Sequence, residues 1–342
     1  MKIVYSEAHR LHFPQGEIYG GELVTPFERP SRMEYILREL DQRGLRERIA
    51  PGPLDMRLLR RVHDRGYLDF LATAWAAWSA AGYRGEILPT VFPQRGLRQR
   101  RPLHIDGQVG YYAHSAETCI AAGTWAAARA AAAVANTGQR LLGAGERAAF
   151  ALCRPPGHHA HRDLYGGYCF LNNAALAAEG LRGAGCARVA VLDIDFHHGN
   201  GTQNIFYARD DVLFCSLHGD PRHAYPHFLG YKDETGTGAG EGANVNYPLL
   251  PGTRWAEWSR ALDSACRRIK AHGVDALVVS LGVDTFKDDP ISFFKLESED
   301  YLACGARIAR LGLPTLFVME GGYAVEAIGV NTVNVLVGFL GA

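Results

Sequence analysis

The run Val191-Leu192-Asp193-Ile194-Asp195-Phe196-His197 constrains the fold of this chain more than any other stretch. Read as an extended strand, it puts alternate side chains on one face, so Asp193, Asp195 and His197 point the same way. The residues around them are apolar, as in a strand buried on both faces of a parallel α/β sheet. Two carboxylates side by side in such a strand are expensive unless cations or hydrogen bonds compensate. An Asp and a His at the carboxyl end of a buried strand fit a divalent-metal site.

Elsewhere the chain alternates in the same sense. Strands are predicted over 2–5, 148–152, 188–194, 212–217, 276–281 and 313–319. Helices are predicted over 31–41 with Ser31 as N-cap, over 55–81 in two pieces broken near Gly66, and over 108–136 and 172–183. The alternation predicts an α/β fold with a mostly parallel sheet, and residues 1–342 as a single domain. Residues 82–107 differ, with scattered glycines and prolines and with Arg95, Arg98, Arg100 and Arg101. They read as a long loop, either a solvated surface excursion or an interface or active-site element.

Lys and Arg number 36 and Asp and Glu also 36, which argues against a nucleic-acid or membrane-surface partner. The seven cysteines are odd in number and include no C-x-x-C pair, so neither a disulfide framework nor a zinc ribbon is expected, and a reducing cytoplasm is the simplest setting. Lys2 and Glu7 come too early for a signal peptide, and no apolar run approaches membrane-spanning length.

His158-His159, Asp195 with His197, Asp284 and Tyr323 each follow a predicted strand, and ligands of open α/β sheets bind where strands end. Asp195, His197 and Asp284 form a candidate metal set that leaves room for water and a substrate oxygen. Alone, Asp284 would read as a helix cap or loop carboxylate; beside the other two it reads as the third ligand. Pro155-Pro156-Gly157 holds the adjacent histidines rigidly. In metal-assisted hydrolysis one imidazole takes a proton from the attacking water and the other gives one to the leaving amine. Asp193 is placed to orient one of them, and His198 reads as structural. After Gly321-Gly322, Tyr323 is either a packing residue or a hydroxyl that stabilises an oxyanion.

Arg154-Pro155-Pro156-Gly157-His158-His159, Asp193-x-Asp195-x-His197-His198-Gly199-Asn200-Gly201-Thr202, Ser216-Leu217-His218, Gly282-Val283-Asp284 and Glu320-Gly321-Gly322-Tyr323 together resemble the zinc-dependent deacetylase superfamily. That superfamily includes histone deacetylases, acetoin-utilisation proteins and bacterial acetylpolyamine amidohydrolases. Glu17 to Leu23, the 82–107 loop, Gly110-Tyr111-Tyr112 and Asp289 to Leu296 resemble the last group. The resemblance implies an arginase-like open sheet with helices on both faces and one zinc per subunit on Asp195, His197 and Asp284. It implies His158 as general base oriented by Asp193, His159 as general acid or electrostatic partner, and Tyr323 polarising an acetyl carbonyl. Many deacetylases carry Asp where this chain has Asn200, and a neutral partner leaves His159 less basic. A structural potassium near Asp193, Asp195, His197, Ser216 and Leu217 is implied as well.

The same resemblance implies a homodimer in which the 82–107 loop packs on the second subunit and narrows a tunnel for a thin aliphatic chain. Glu17 and Glu117, with Asp106 reaching across the dimer, match positions that contact polyamine ammonium groups. Tyr19, Tyr168 and Tyr225 match positions along the tunnel. The implied reaction is hydrolysis of acetylputrescine, acetylcadaverine or acetylspermidine to free amine and acetate. A protein lysine deacetylase would use the same residues. A ureohydrolase-like enzyme would need a second metal and denser ligands, which the sequence lacks, and a non-catalytic module is disfavoured because His158, His159 and Tyr323 are all present.

Overall fold

The computed structural model describes all 342 residues. Its strands are β1 (Lys2–Val4), β2 (Glu17–Tyr19), β3 (Glu22–Val24), β4 (Arg48–Ile49), β5 (Ala148–Ala151), β6 (Val189–Asp193), β7 (Val212–Gly219), β8 (Asn244–Leu249), β9 (Ala276–Leu281) and β10 (Thr315–Met319). The α-helices are α1 (Ser31–Gln42), α2 (Met56–Val62), α3 (Arg65–Ala80), α4 (Ile105–Tyr111), α5 (Thr124–Gly143), α6 (Asn173–Gly183), α7 (Asn200–Phe206), α8 (Trp255–His272), α9 (Asp300–Ala309) and α10 (Val325–Leu340). Eight strands form one sheet in the order β4-β1-β5-β10-β9-β6-β7-β8, and every neighbouring pair is parallel. β2 and β3 form a separate antiparallel hairpin that turns at Gly20 and Gly21, both at positive φ, as a tight hairpin turn requires.

Strand residues alternate between two apolar layers, the period-2 consequence of the pleat. Val189 and Val191 of β6 pack in one layer with α2, α3, α5 and α6, whereas Ala190 and Leu192 pack in the other with α1, α8, α9 and α10. Both faces of the sheet are therefore covered, which explains why its strands read as continuous apolar runs. The alanines of α5 bring it close to α6, and at Gly180 a Cβ would stand 2.7 Å from Gln139 Cδ.

Five local expectations need correction. Pro30, not Ser31, is the N-cap of α1, and no side chain caps that end; Ser31 is the first helical residue. The break in 55–81 falls at His63-Asp64, because the Asp64 carboxylate caps the Gly66 and Tyr67 amides and starts α3 there. The helix expected over 108–136 is two helices, α4 and α5, separated by irregular chain over 112–123. That segment carries Ser115 and Thr118, whose hydroxyls accept from the Gly167 and Tyr168 amides, so side-chain bonding to another loop displaces the helix. The expected 82–107 loop ends earlier, at His104, which caps α4. Finally, β6 ends at Asp193. Asp195 and His197 therefore lie on a bend beyond the strand and converge by turning, not by strand alternation.

Candidate active site

Strand register sets the position of the site. Ala151 of β5 is level with Val318 of β10, Val318 with Ser280 of β9, and Ser280 with Asp193 of β6. The residues after these four adjacent strands emerge together at one edge, the place where open α/β sheets bind ligands. They are His158 and His159 after β5, Tyr323 after β10, Asp284 after β9, and Asp195 with His197 after β6.

Asp195, His197 and Asp284 are buried, and one ligand atom of each lies within 4.8 Å of the others. His197 Nδ1 is 2.9 Å from Asp284 Oδ2 and 3.4 Å from Asp195 Oδ1. The outer carboxylate oxygens are held by backbone: Phe196 N–H donates to Asp284 Oδ1 at 2.7 Å and Gly321 N–H to Asp195 Oδ2 at 2.8 Å. Glycines give the carboxylates their space, since a Cβ at Gly321 would lie 2.6 Å from Asp195 Oδ2 and 2.7 Å from Asp284 Oδ2, and one at Gly282 would overlap Asp195.

The electrostatics of this cluster would favour a bound cation. Burial and the neighbouring Asp195 push the Asp284 carboxyl up to about 8. Asp195 stays below the usual carboxylate range, because His158 and His197 outweigh its burial. Burial disfavours the charged forms of His158 and His197, but the aspartates outweigh it and lift both to about 10. The aspartates thus draw in any positive charge in reach, and two carboxylate oxygens with one imidazole are a donor set that suits zinc and accepts iron or cobalt.

His158 and His159 have different partners. His158 Nδ1 lies 3.1 Å from Asp193 Oδ2, and its Nε2 lies 3.8 Å from Asp195 Oδ1. His159 Nδ1 lies 2.6 Å from Asn200 Oδ1. Tyr323 is 6% exposed, and its backbone N–H donates to Asp289 Oδ2 at 2.7 Å. Burial raises its phenol well above the ordinary value, so its hydroxyl remains a donor throughout the neutral range.

A cleft of about 330 Å³ opens over this cluster, lined by His159, His197, Tyr323, Tyr19, Glu117, Tyr168 and Tyr225 among others. Tyr225 stands edge-on to His159 at 5.0 Å and Tyr168 edge-on to Tyr323 at 5.7 Å, so aromatic rings form its walls. Glu117 lines the cleft while its Oε1 accepts from Ser115 Oγ at 2.6 Å and Gly167 N–H at 3.1 Å. Glu17 does not line it. That side chain is buried behind Tyr168, accepting from the tyrosine hydroxyl at 3.0 Å, and burial pushes its carboxyl up to about 7. It supports a wall residue that sits at a positive φ of 64°. Asp106 lies in the first turn of α4, away from the cleft of its own chain. Ser216 and Leu217 are buried on β7, with Ser216 level with Asp193. His198 bonds Gln203 Oε1 at 3.1 Å and packs on His218, away from the cluster, as a structural residue does.

Sequence reasoning passed over the polar frame behind the site. Arg32 Nη1 and Arg154 Nε both donate to Glu28 Oε1, at 2.9 and 2.8 Å, and all three residues are buried. Arg32 Nε also donates to Gly322 O, and its guanidinium lies 5.0 Å from the Tyr323 ring centroid. Glu320 Oε2 accepts from the Gly157 and His158 amides. One signal was available, since Arg32 falls four residues before Ile36, on the apolar stripe of α1.

Residues 26–338 match the histone deacetylase domain family. The chain is 58% identical over its whole length to acetylpolyamine amidohydrolase 1 of Pseudomonas aeruginosa, covering 99% of that protein. It is 55% identical over its whole length to the acetylpolyamine amidohydrolase of Mycoplana ramosa, covering all of that protein. Its structure superimposes with a TM-score of 0.94 on the crystal structure of an acetylpolyamine aminohydrolase from Burkholderia pseudomallei, at 38% identity, covering 99% of this chain and 98% of that one. A sheet order, a ligand cluster and a full-length likeness that all agree place the chain in the histone deacetylase domain family.

Proposed function

We propose that this chain is a zinc-dependent amidohydrolase that removes acetate from acetylated polyamines. The observation that carries the reading is the buried Asp195–His197–Asp284 cluster at the floor of an aromatic-walled cleft, with a histidine pair and a tyrosine hydroxyl beside it. The full-length relatives named acetylpolyamine amidohydrolases support the choice of substrate. Zinc on these three residues, when bound, acts as a Lewis acid on the acetyl carbonyl and makes water nucleophilic near neutral pH.

The chain's own residues supply the proton chemistry. The pKa of about 10 belongs to His158 without a cation to offset the aspartates; with zinc on Asp195, His158 would donate through Nδ1 to Asp193 and keep Nε2 free to take a proton from the attacking water. Tyr323 donates its hydroxyl to the oxyanion as charge develops there. His159 delivers a proton to the departing amine. Tyr19, Tyr168 and Tyr225 flank the alkyl chain, and Glu117 faces its distal ammonium.

A potassium ion among Asp193, Asp195, His197, Ser216 and Leu217 belongs to this reading as structural support, and would offset the buried carboxylates. The chain works as one catalytic domain in a homodimer joined through the 82–107 loop. Exposed apolar residues support that contact: Leu97 is 76% and Leu103 98% exposed, beside Val91 and Phe92. Asp106 would enter the partner's cleft there. No helix is long and apolar enough to cross a membrane, and a cytoplasmic location goes with the reading.

Steady-state kcat/KM of the zinc-loaded enzyme for N-acetylputrescine, N-acetylcadaverine, N8-acetylspermidine and an acetyl-lysine peptide tests the proposal. Preference for the acetylpolyamines is expected. Preference for the peptide would move the protein to lysine deacetylation, and turnover after exhaustive chelation would overturn the metal mechanism.

A further inference from the structure

We infer that His161 is a positioning residue that fixes the side-chain amide of Asn200 and, through it, decides which ring nitrogen of His159 carries the proton. The three side chains form a line. His159 Nδ1 lies 2.6 Å from Asn200 Oδ1, and Asn200 Nδ2 lies 2.9 Å from His161 Nε2. All three residues are buried, and the amide has no other side-chain partner. His161 is held in turn by packing on the His114 ring, 5.2 Å away, while His114 Nε2 lies 3.2 Å from the His159 carbonyl oxygen.

An amide has an accepting end and a donating end, so it cannot offer the same group to both neighbours. With the oxygen toward His159, the His159 Nδ1 must be N–H. With the NH2 toward His161, the His161 Nε2 must be a bare lone pair. The two tautomers are therefore locked together: turning the amide over would invert both. In the arrangement present, Nε2 is the nitrogen of His159 left free to gain and give a proton, which is what delivery to a leaving amine requires. A carboxylate at position 200 would need no such guard, because both its oxygens accept. Asparagine needs a neighbour with a lone pair on its far side, and His161 is that neighbour.

Lysine at 161 has donors only. His161→Lys should turn the amide over, move His159 to the Nε2–H tautomer, and lower kcat by roughly 10²-fold or more, the scale of one acid–base contribution. KM and zinc content should stay near wild type. His161→Gln, which can accept, should keep the wild-type tautomer and most of the rate. Asn200→Asp combined with His161→Lys should recover rate, since a carboxylate accepts from both sides. The tautomer is read by 15N NMR of histidine-labelled protein, with His159 assigned from a His159→Gln spectrum.

A His161→Lys protein with the wild-type tautomer, or a double variant no faster than His161→Lys alone, overturns the inference. If lysine is not accommodated, His161→Leu removes only the acceptor. A second His159 tautomer in its spectrum then supports the inference, and one unchanged signal overturns it. The meaning of the rate rests on the proposed hydrolysis, whereas the NMR readout needs no substrate, so failure of one is distinguishable from failure of the other.

Discussion

Replacing Gly321 with alanine should cripple metal binding without unfolding the protein. Gly321 is not among the residues at positive φ, so its backbone accepts an alanine. The obstacle is the methyl group, placed 2.6 Å from Asp195 Oδ2 and 2.7 Å from Asp284 Oδ2. Ordinary contact begins at 3.4 Å, so the two oxygens must retreat by about 0.8 and about 0.7 Å. Metal sites tolerate about 0.2 Å in ligand distance, and two of the three ligands would exceed that together. Asp195 would also lose its 2.8 Å bond from the Gly321 amide. Loss of a partner that merely supports a ligand lowers affinity roughly 10–100-fold, and displaced ligands should reach at least the upper end, about 2.7 kcal/mol. Competition against a fluorescent zinc chelator measures the affinity, and thermal melting of the metal-free proteins checks the fold. Gly321→Ala with wild-type zinc affinity and turnover would refute the assignment of Asp195 and Asp284 to the metal.

Tyr323→Phe should lower kcat on the order of 10²–10³-fold with zinc affinity unchanged, and wild-type turnover would remove the oxyanion role. Glu28→Gln strands two buried arginines and should cost about 3–5 kcal/mol in urea unfolding; a cost near that of a surface pair, below about 1 kcal/mol, would show that Glu28 is dispensable. The metal-free protein should lose stability as pH rises from 7 to 8.5. In that window folded His158 and His197 hold protons that the unfolded chain has released, and Asp284 gives its proton up within it, because their pKa values are raised to about 10, 10 and 8. Bound zinc should reverse the trend, since its ligands must be deprotonated. Thermal melts across the window, with and without zinc, check both signs, and a metal-free melting point that rises toward pH 8.5 would contradict the assignment.

The sheet was legible because its strands are buried on both faces and so leave apolar runs that end at chemistry-bearing residues. Asp195, His197 and Asp284 were legible for the same reason: each closes such a run. Their convergence was anticipated on a strand but is achieved on a bend, since backbone geometry past Asp193 leaves no mark in residue type. The 112–123 segment was read as helix because nothing local breaks it; its hydroxyl bonds reach Gly167 and Tyr168, about fifty residues away. Glu17 matched a substrate-contact position, yet its burial behind Tyr168 depends on how the β2–β3 hairpin docks. His161 drew no notice because a lone histidine carries no meaning until Asn200 stands beside it.

The order in which the sheet is assembled differs from the order in which it is synthesised. β10, the last of the eight strands along the chain, sits between β5 and β9 at the middle of the sheet. While Thr315–Met319 are still to be made, β5 and β9 each present an open edge to the cell, the kind of edge that invites mispairing. The amide that holds Asp195 Oδ2 comes from Gly321 and the proposed oxyanion donor is Tyr323, both just past that strand. A growing chain can thus form both flanks of the sheet and still have an unfinished candidate cation site, which would make metal capture a late event, open only to a complete centre.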